Sequence, residues 1–279
     1  MKPKINMSDL FKKNFLNLSK ISESDAEFIP LITSEEEQNM NEEIFPEDLP
    51  ILSLRNNVLF PGVVIPITVG RDMSIKLVND ANKGDKIIGV ISQKNQEEEN
   101  PKFEDLYKTG TIAQIIKLLK MPDGNTTIII QGKRRFKMIE ETQSKPYLRA
   151  KVKAYIESKV DTTKKEIQVM IKSVKEIALQ IIKESPNIPS EASFALKNID
   201  SPTFLVNFIA SNMNADVYKK QEMLEEMDFK NRVMKLIEHL SLEMQMLEMK
   251  NEIQSKVKKD IDRQQREYFL HQQMRTIQD

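Results

Sequence analysis

Apolar residues along this chain follow two periods, the first typical of strands and the second typical of helices. From Pro50 onward, short runs rich in β-branched residues are separated by turn residues. This pattern predicts strands over residues 50–54, 63–69, 86–93, 110–120, 126–131, 134–142 and 148–156. The turn signals between them are Pro61-Gly62, residues 122–125 and Gly132-Lys133. Many short strands predict a compact, mostly antiparallel, barrel-like lobe.

One helix is predicted inside this β-rich region, from Met73 to Asn82. Asp72 or Ser74 can accept a hydrogen bond from its first free backbone N–H groups, and Gly84 stands just past its predicted end. Pro66 interrupts a β-branched run and lacks a backbone donor. We therefore expect its strand to lie at a sheet edge or to contain a bulge.

The helical period begins near residue 162, and neither Gly nor Pro occurs after Pro202. It predicts helices over residues 165–184, 190–197, 202–213 with Ser201 as cap, 216–227 and, capped by Asp228, 229–279. We interpret residues 163–245 as a helical bundle and residues 228–279 as one long helix. The far half of that helix has apolar residues only at about every fourth position: Ile253, Val257 and Ile261. We expect this half to project from the bundle or to pair with another helix, and to lead into a further domain.

The first 48 residues have a different composition, since residues 22–48 contain ten acidic residues and no Lys or Arg. Such a segment buries too little apolar surface to offset its chain entropy, so we predict a disordered acidic arm over residues 1–48. Its simplest role is to aid solubility. The alternative is a tail that docks on a basic surface through small apolar patches, residues 28–32 and Ile44-Phe45.

Composition argues against several classes of protein. The formal net charge is zero, which disfavours nucleic acid as the main partner. There are no cysteines and two histidines, His239 and His271, which argues against disulfides and zinc. No secretory signal and no apolar run of membrane-spanning length are visible, so the prediction is a cytoplasmic protein that does not bind membranes. Phosphate-binding loops and nucleophile elbows are missing too, and we predict no catalytic, cofactor or metal residue in this chain.

Two clusters of residues call for interpretation. Lys133-Arg134-Arg135 lies next to a turn signal, and we interpret it as a solvated hairpin end rather than an anion site. Methionines concentrate where the shorter helices meet the long one, at Met213, Met223, Met227, Met234, Met244, Met246 and Met249. Methionine is flexible and frequent on surfaces that bind varied apolar segments, although filling gaps in a core is the more ordinary role of any single one.

Three stretches of the chain resemble the N-terminal region of the Lon family of ATP-dependent serine proteases, also called endopeptidase La. They are residues 49–71 (LPILSLRNNVLFPGVVIPITVGR), residues 146–150 (PYLRA) and residues 264–278 (QQREYFLHQQMRTIQ). The family implies an α+β chain with a PUA-like pseudo-barrel lobe over residues 49–157, a helical bundle and a long helix. It further implies an ATPase module with ATP and Mg²⁺ and a protease domain with a Ser/Lys dyad. Both lie outside this chain.

The resemblance implies a substrate-recognition and hexamer-assembly region of a protease that degrades misfolded and short-lived regulatory proteins. Its partners would be unfolded or damaged proteins and, through the long helices, further copies in a homohexamer. The candidate substrate contacts are Phe60, Met223, Met227, Met244, Met246 and Met249. One alternative is a stand-alone binding module without protease activity, and a nucleotide-binding motif encoded after Asp279 would argue against it. An RNA-binding module rests only on the barrel-like pattern and the 133–135 cluster.

Overall fold

The computed structural model describes residues 34–120, 126–157, 160–185, 188 and 190–278. A β-sheet lobe is followed by a helical bundle and a long projecting helix, so the predicted α+β class is confirmed. The lobe consists of β1 (Asp48–Leu54), β2 (Val64–Val69), α2 (Asp72–Lys83), β3 (Ile87–Ser92), a 3₁₀ turn (Phe103–Asp105), β4 (Thr109–Lys120), β5 (Thr126–Gln143) and β6 (Arg149–Ala154). A short helix, α1 (Ser34–Glu42), precedes it.

The strands close into a barrel because β6 pairs with both β1 and β5. The strand order is β2-β5-β4-β3-β1-β6, and every pair is antiparallel except β1 with β3. In the described part of the chain β2 pairs only with β5, which places Pro66 on an edge strand as predicted. The buried apolar residues of the lobe form two clusters. One includes Ile112 and Phe136, and the other includes Leu52 and Ile88 and continues into the helical bundle.

Strand β5 runs straight through Gly132-Lys133, so the turn predicted there is wrong. The glycine serves a close approach between two backbones. A Cβ atom on Gly132 would lie 2.3 Å from the Phe60 carbonyl oxygen, and the Gly132 N–H donates to Val63 O at 2.9 Å. The register with β4 also shifts beside Lys133, which makes that residue a β-bulge. The turn predicted over residues 122–125 lies outside the described residues.

Of the two capping predictions for α2, the one at its C-terminal end is confirmed and the one at its N-terminal end is wrong. Gly84 follows the helix as expected, and its N–H bonds to the carbonyl oxygens of Asp80 and Ala81. The predicted Asp72 or Ser74 cap is wrong, because the N-cap position is Arg71. The Arg71 side chain instead donates to Ser53 Oγ at 2.9 Å and to Gln93 Oε1 at 3.0 Å, so it joins α2 to the ends of β1 and β3.

The helical bundle contains α3 (Lys165–Glu184), α4 (Ser190–Lys197), α5 (Pro202–Asn212), α6 (Val217–Glu225) and the start of α7 (Phe229–Gln278). Both predicted caps are confirmed, since Ser201 Oγ accepts from Phe204 N–H at 3.1 Å and Asp228 Oδ1 accepts from Asn231 N–H at 2.8 Å. Helix α7 buries Val233, Leu236, Leu240 and Met244 against the bundle. From Glu252 onward, every residue whose exposure is described is exposed, so the far half of α7 projects as predicted.

Helix α1 corrects part of the predicted disordered arm. Residues 1–33 lie outside the described residues, but residues 34–42 are helical and β1 already begins at Asp48. The side chain of Met40 is buried, and the acidic sequence around it remains largely exposed. The acidic composition predicted disorder over these residues. Composition cannot show that one apolar side chain, that of Met40, packs against a distant part of the fold.

Arg135 in β5 lies at the junction between lobe and bundle and is 1% exposed. Its Nε and Nη2 donate to the Glu157 carboxylate, with Nη2 at 2.6 Å. Its Nη1 donates to the carbonyl oxygens of Leu224 and Glu226, each at 2.8 Å. The interpretation of residues 133–135 as a solvated hairpin end is therefore wrong for Arg135, which binds across the junction instead.

A second buried guanidinium meets the same carboxylate. Arg232, in the first turn of α7, is 3% exposed and has its Nη2 4.0 Å from Glu157 Oε2. Its Nε and Nη2 also donate to the Glu226 carbonyl at 3.1 and 2.9 Å. Burial, together with the nearby charge of Arg135, lowers the pKa of Arg232 to about 10. Glu157 and the carbonyl groups before α7 thus bind arginines from both lobes.

We expect Arg135→Leu to lower the free energy of unfolding by about 3 kcal/mol, because it removes the bidentate partner of the half-buried Glu157 carboxylate. Urea unfolding followed by circular dichroism measures this loss. The matched control is Lys256→Leu, which removes an exposed partner of Glu252 and should change stability by less than about 1 kcal/mol. Equal effects of the two substitutions would contradict the assigned role of Arg135.

Candidate functional site

The exposed apolar residues of α7 form a continuous row along one side of the helix. We call this row the α7 stripe and define it as Leu242, Met246, Met249, Ile253 and Val257. At about 100° of rotation per residue these five positions lie within about 80° of one another. Each is at least half exposed, whereas the buried residues of α7 face the bundle on the opposite side. The stripe is therefore an apolar surface that no described part of the chain covers.

An open groove lies near the beginning of the same helix, between α3 and α7. Its volume is about 750 Å³, and apolar side chains at its base are Met170, Met234 and Ile237. Two ion pairs border it, Lys230 with Glu166 at 2.5 Å and Lys235 with Glu226 at 3.0 Å. A groove of this size with a flexible, methionine-containing base can accept apolar side chains of various shapes.

The six predicted substrate contacts divide into two groups. Met227, Met246 and Met249 are exposed, and for them the prediction stands untested. Phe60, Met223 and Met244 are buried, so for these three the prediction is corrected. Phe60 lies in the loop that packs against Gly132, while Met223 and Met244 belong to the core between α6, α7 and their neighbours. None of the three can contact a substrate without local unfolding.

A polar cluster between α6 and α7 was not singled out from the sequence. Lys220 is 3% exposed and donates to Ser211 O at 2.7 Å. His239 and Glu243 stand four residues apart on α7, and each bonds to the backbone of Asn214. His239 Nε2 and Glu243 Oε2 are both buried without a hydrogen-bond partner. The only sequence signal was the spacing of the two residues next to the apolar side of α7.

Burial determines the protonation of this cluster. It lowers the pKa of Lys220 to about 8 and raises the pKa of Glu243 to about 7. Burial also lowers the pKa of His239, with the charges of Lys219 and Lys220 adding to the effect. The pKa values of Lys220 and Glu243 are therefore both shifted toward neutral pH. By the same 100° rotation, His239 and Glu243 lie between the α7 stripe and the buried side of the helix.

The described residues offer little support for other kinds of functional site. Within them, no group of three or more His, Cys, Asp or Glu side chains could hold a metal ion. None of the described helices combines the length and apolar character needed to cross a membrane. The apolar groove and the α7 stripe are therefore the surfaces on which a functional assignment rests.

The family model described as "ATP-dependent protease La (LON) substrate-binding domain" matches residues 48–241. The chain belongs to the Lon family. This confirms the predicted family, and the matched residues include the barrel, the bundle and the groove.

Curated Lon proteases extend the match beyond that domain. The Lon protease of Flavobacterium johnsoniae is 57% identical over 257 residues, which is 92% of this chain and 32% of the relative. The Lon protease of Cytophaga hutchinsonii is 51% identical over 253 residues, covering 91% of this chain and 31% of the relative. The chain thus spans about a third of the length of the Lon proteases it matches.

Two solved Lon structures share the fold. The N-terminal domain of the Mycobacterium avium complex Lon protease has a TM-score of 0.55 at 21% identity, over 70% of this chain and 98% of that domain. The Lon N-terminal domain protein from Xanthomonas campestris has a TM-score of 0.51 at 18% identity, over 68% and 96%. At these identities the likeness concerns the arrangement of the barrel and the helices.

We expect Glu243→Gln to remove a pH-dependent loss of stability. Because the folded-state pKa of Glu243 is raised from 4.5 to about 7, its contribution is fully present below pH 4.5 and is lost as the pH rises through 7. Relative to the natural chain, the free energy of unfolding of the variant should therefore rise by about 2 kcal/mol between pH 5 and pH 8. Urea unfolding at both pH values gives this difference, with the exposed Glu238→Gln as control. An unchanged difference between pH 5 and pH 8 would count against the buried, protonated state of Glu243.

Proposed function

We propose that this chain is the substrate-recognition and hexamer-assembly region of a cytoplasmic, ATP-dependent Lon-type serine protease that degrades misfolded and short-lived regulatory proteins. The observation that carries the proposal is the uncovered apolar surface of α7 and its groove, in a chain that matches the Lon substrate-binding domain. Unfolded proteins differ from folded ones mainly in exposing apolar segments, and an apolar surface recognises that difference.

The composition of the surface suits substrates of varied sequence. Met227 and Met234 are exposed near the groove, and Met246 and Met249 lie on the α7 stripe. Unbranched thioether side chains adapt to different apolar partners at small cost, which favours broad over narrow specificity. Charged residues alternate with the apolar ones along α7, for example Glu248, Lys250 and Glu252. These charges keep the uncovered helix hydrated when no substrate is bound.

The far half of α7 supports the assembly part of the proposal. Its apolar residues Ile253, Val257 and Ile261 recur every four residues between charged ones. This row of three residues is too narrow for packing into a globular core, and it has the width of a seam between two paired helices. In the full-length parent we propose that such helices meet between subunits of a homohexamer. For the 279-residue chain alone we expect monomers or weak dimers.

The chemistry of the proposed parent protease lies beyond the third of the protein that this chain spans. ATP and Mg²⁺ would be bound by its ATPase module, and a Ser/Lys dyad would cleave the peptide bonds. No residue of this chain is assigned a catalytic, nucleotide-binding or metal-binding role. Neither nucleic acid nor membrane is proposed as a partner.

The triple substitution Met227→Gln, Met246→Gln and Met249→Gln tests the recognition surface. We expect at least about ten-fold weaker binding of a reduced, carboxymethylated model protein, because three apolar contacts of about 0.5–1 kcal/mol each are lost. Fluorescence anisotropy of the labelled model protein measures the affinity. The control is Met73→Gln, which replaces an exposed methionine on α2 in the other lobe. If the control weakens binding as much as the triple variant does, the surface has been assigned wrongly.

The pairing of long helices is tested by adding charge to the far half of α7. Ile253→Glu with Val257→Glu should abolish concentration-dependent self-association in sedimentation equilibrium, because both charges would be buried in the proposed seam. Ser255→Glu puts one such charge on the opposite side of the helix and should leave association unchanged. Association that survives the double substitution would show that the chain assembles through another surface.

A further inference from the structure

The side chain of Met40 fills a pocket at the junction of the two lobes. It is 7% exposed and borders a residual cavity of about 20 Å³ together with Pro61, Gly62, Phe204 and Asn207. Pro61 and Gly62 belong to the loop between β1 and β2, and Phe204 and Asn207 belong to α5. A single unbranched side chain therefore occupies a pocket that both lobes build.

Polar groups on both sides of the pocket bind the backbone and side chains of the same segment. Arg134 Nη2 donates to the Met40 carbonyl at 3.3 Å, and its guanidinium group lies 5.7 Å from the centre of the Phe45 ring. On the other side, Ser201 Oγ donates to the Glu37 carboxylate. Arg134 Nε is buried and has no hydrogen-bond partner. The pocket thus has a cationic donor whose capacity the present occupant does not fully use.

The pocket and its occupant belong to different parts of the chain. Pro61, Phe204 and the other pocket residues all lie within residues 48–241, the part that matches the Lon domain, whereas α1 lies before it. Among the residues of α1 whose exposure is described, only Met40 is buried. Helix α1 is therefore held as a bound peptide would be, through one apolar anchor and a few polar contacts at its flanks.

Charge indicates what kind of segment the pocket accepts. Residues 34–43 contain five glutamates and no Lys or Arg, while Lys133 and Arg134 stand at the rim of the pocket. Glu157, the acidic residue that the fold itself contributes to the cavity lining, already has an arginine partner. We propose that the Met40 pocket is a docking site for short acidic segments of a partner protein that carry one unbranched apolar anchor, and that α1 occupies this site in cis as a built-in competitor. This inference concerns a different surface from the α7 stripe and does not rest on the proposed function.

The test adds the α1 segment, as a separate peptide, to the full 279-residue chain. The probe is a fluorescein-labelled peptide of residues 34–47 (SEEEQNMNEEIFPE), and anisotropy measures its binding to the natural chain and to Met40→Asp. We expect at least about ten-fold tighter binding to Met40→Asp, because the tethered α1 of the natural chain competes at a high effective concentration. The same peptide with Met40→Asp should show no binding. Equal binding to both chains, or binding that ignores the anchor, would overturn the proposal.

A second substitution tests the cationic rim. Combined with Met40→Asp, Arg134→Gln should weaken binding of the peptide about five-fold or more. Lys137→Gln removes an exposed positive charge further along β5 and should leave binding unchanged. If the two substitutions act equally, attraction by general charge explains the binding and the docking site is refuted.

Hydrogen exchange on the natural chain keeps the proposal testable even where Met40→Asp does not fold. Saturating peptide should increase amide exchange in residues 36–42 several-fold, because α1 is displaced from its pocket. The peptide with Met40→Asp serves as the control and should leave exchange unchanged. Unaltered exchange at saturating peptide, or sedimentation showing a dimer that exchanges α1 between copies, would overturn the assignment of α1 as a competitor in cis.

Discussion

One half-buried carboxylate, that of Glu157, sets the relation between the two lobes. Arg135 binds it from the barrel and Arg232 approaches it from α7, so two guanidinium groups share a single counter-charge. Removing these charges from water costs several kcal/mol each, and the ion pairs repay that cost only where further hydrogen bonds are available. The carbonyl groups of Leu224 and Glu226 supply them. Since those carbonyls lie at the C-terminal end of α6, shortly before α7 begins, satisfying the charges also places the start of α7 against the barrel.

The direction of α7 decides which of its residues become available to a partner. With Arg232 turned into the junction, Val233, Leu236 and Leu240 face the bundle and the opposite side of the helix faces outward. The helical period then separates neighbouring methionines, so Met244 is buried while Met246 and Met249 are exposed. The apolar surface of α7 is thus a consequence of the buried junction together with 3.6 residues per turn. No further helix or strand is needed to hold this surface in its exposed position.

Local pattern was sufficient for most of the fold. Period, capping residues and the position of Pro66 predicted the strands, α3, the cap of α7 and the edge strand, because each depends on residues close in sequence. The failures depend on distant partners. Arg135 looked solvated because its acceptors lie 22 to 91 residues away, and Gly132 looked like a turn because the backbone it approaches belongs to another loop. For the candidate site, composition found the methionines but could not separate exposed from buried ones.

Helix α1 shows why composition failed at the N-terminus and why its docking is easily reversed. Among the residues of α1 whose exposure is described, Met40 alone is buried, so little apolar burial offsets the backbone entropy that is lost when the helix is ordered. The contacts of Met40, Glu37 and Arg134 therefore hold the nine residues of α1 with little margin. The junction at Arg135 is held more firmly than α1, because breaking its ion pair would leave the guanidinium group of Arg135 buried without a counter-charge. A segment held so weakly exchanges with a competitor at modest concentration, since a small difference in affinity is enough to shift its equilibrium.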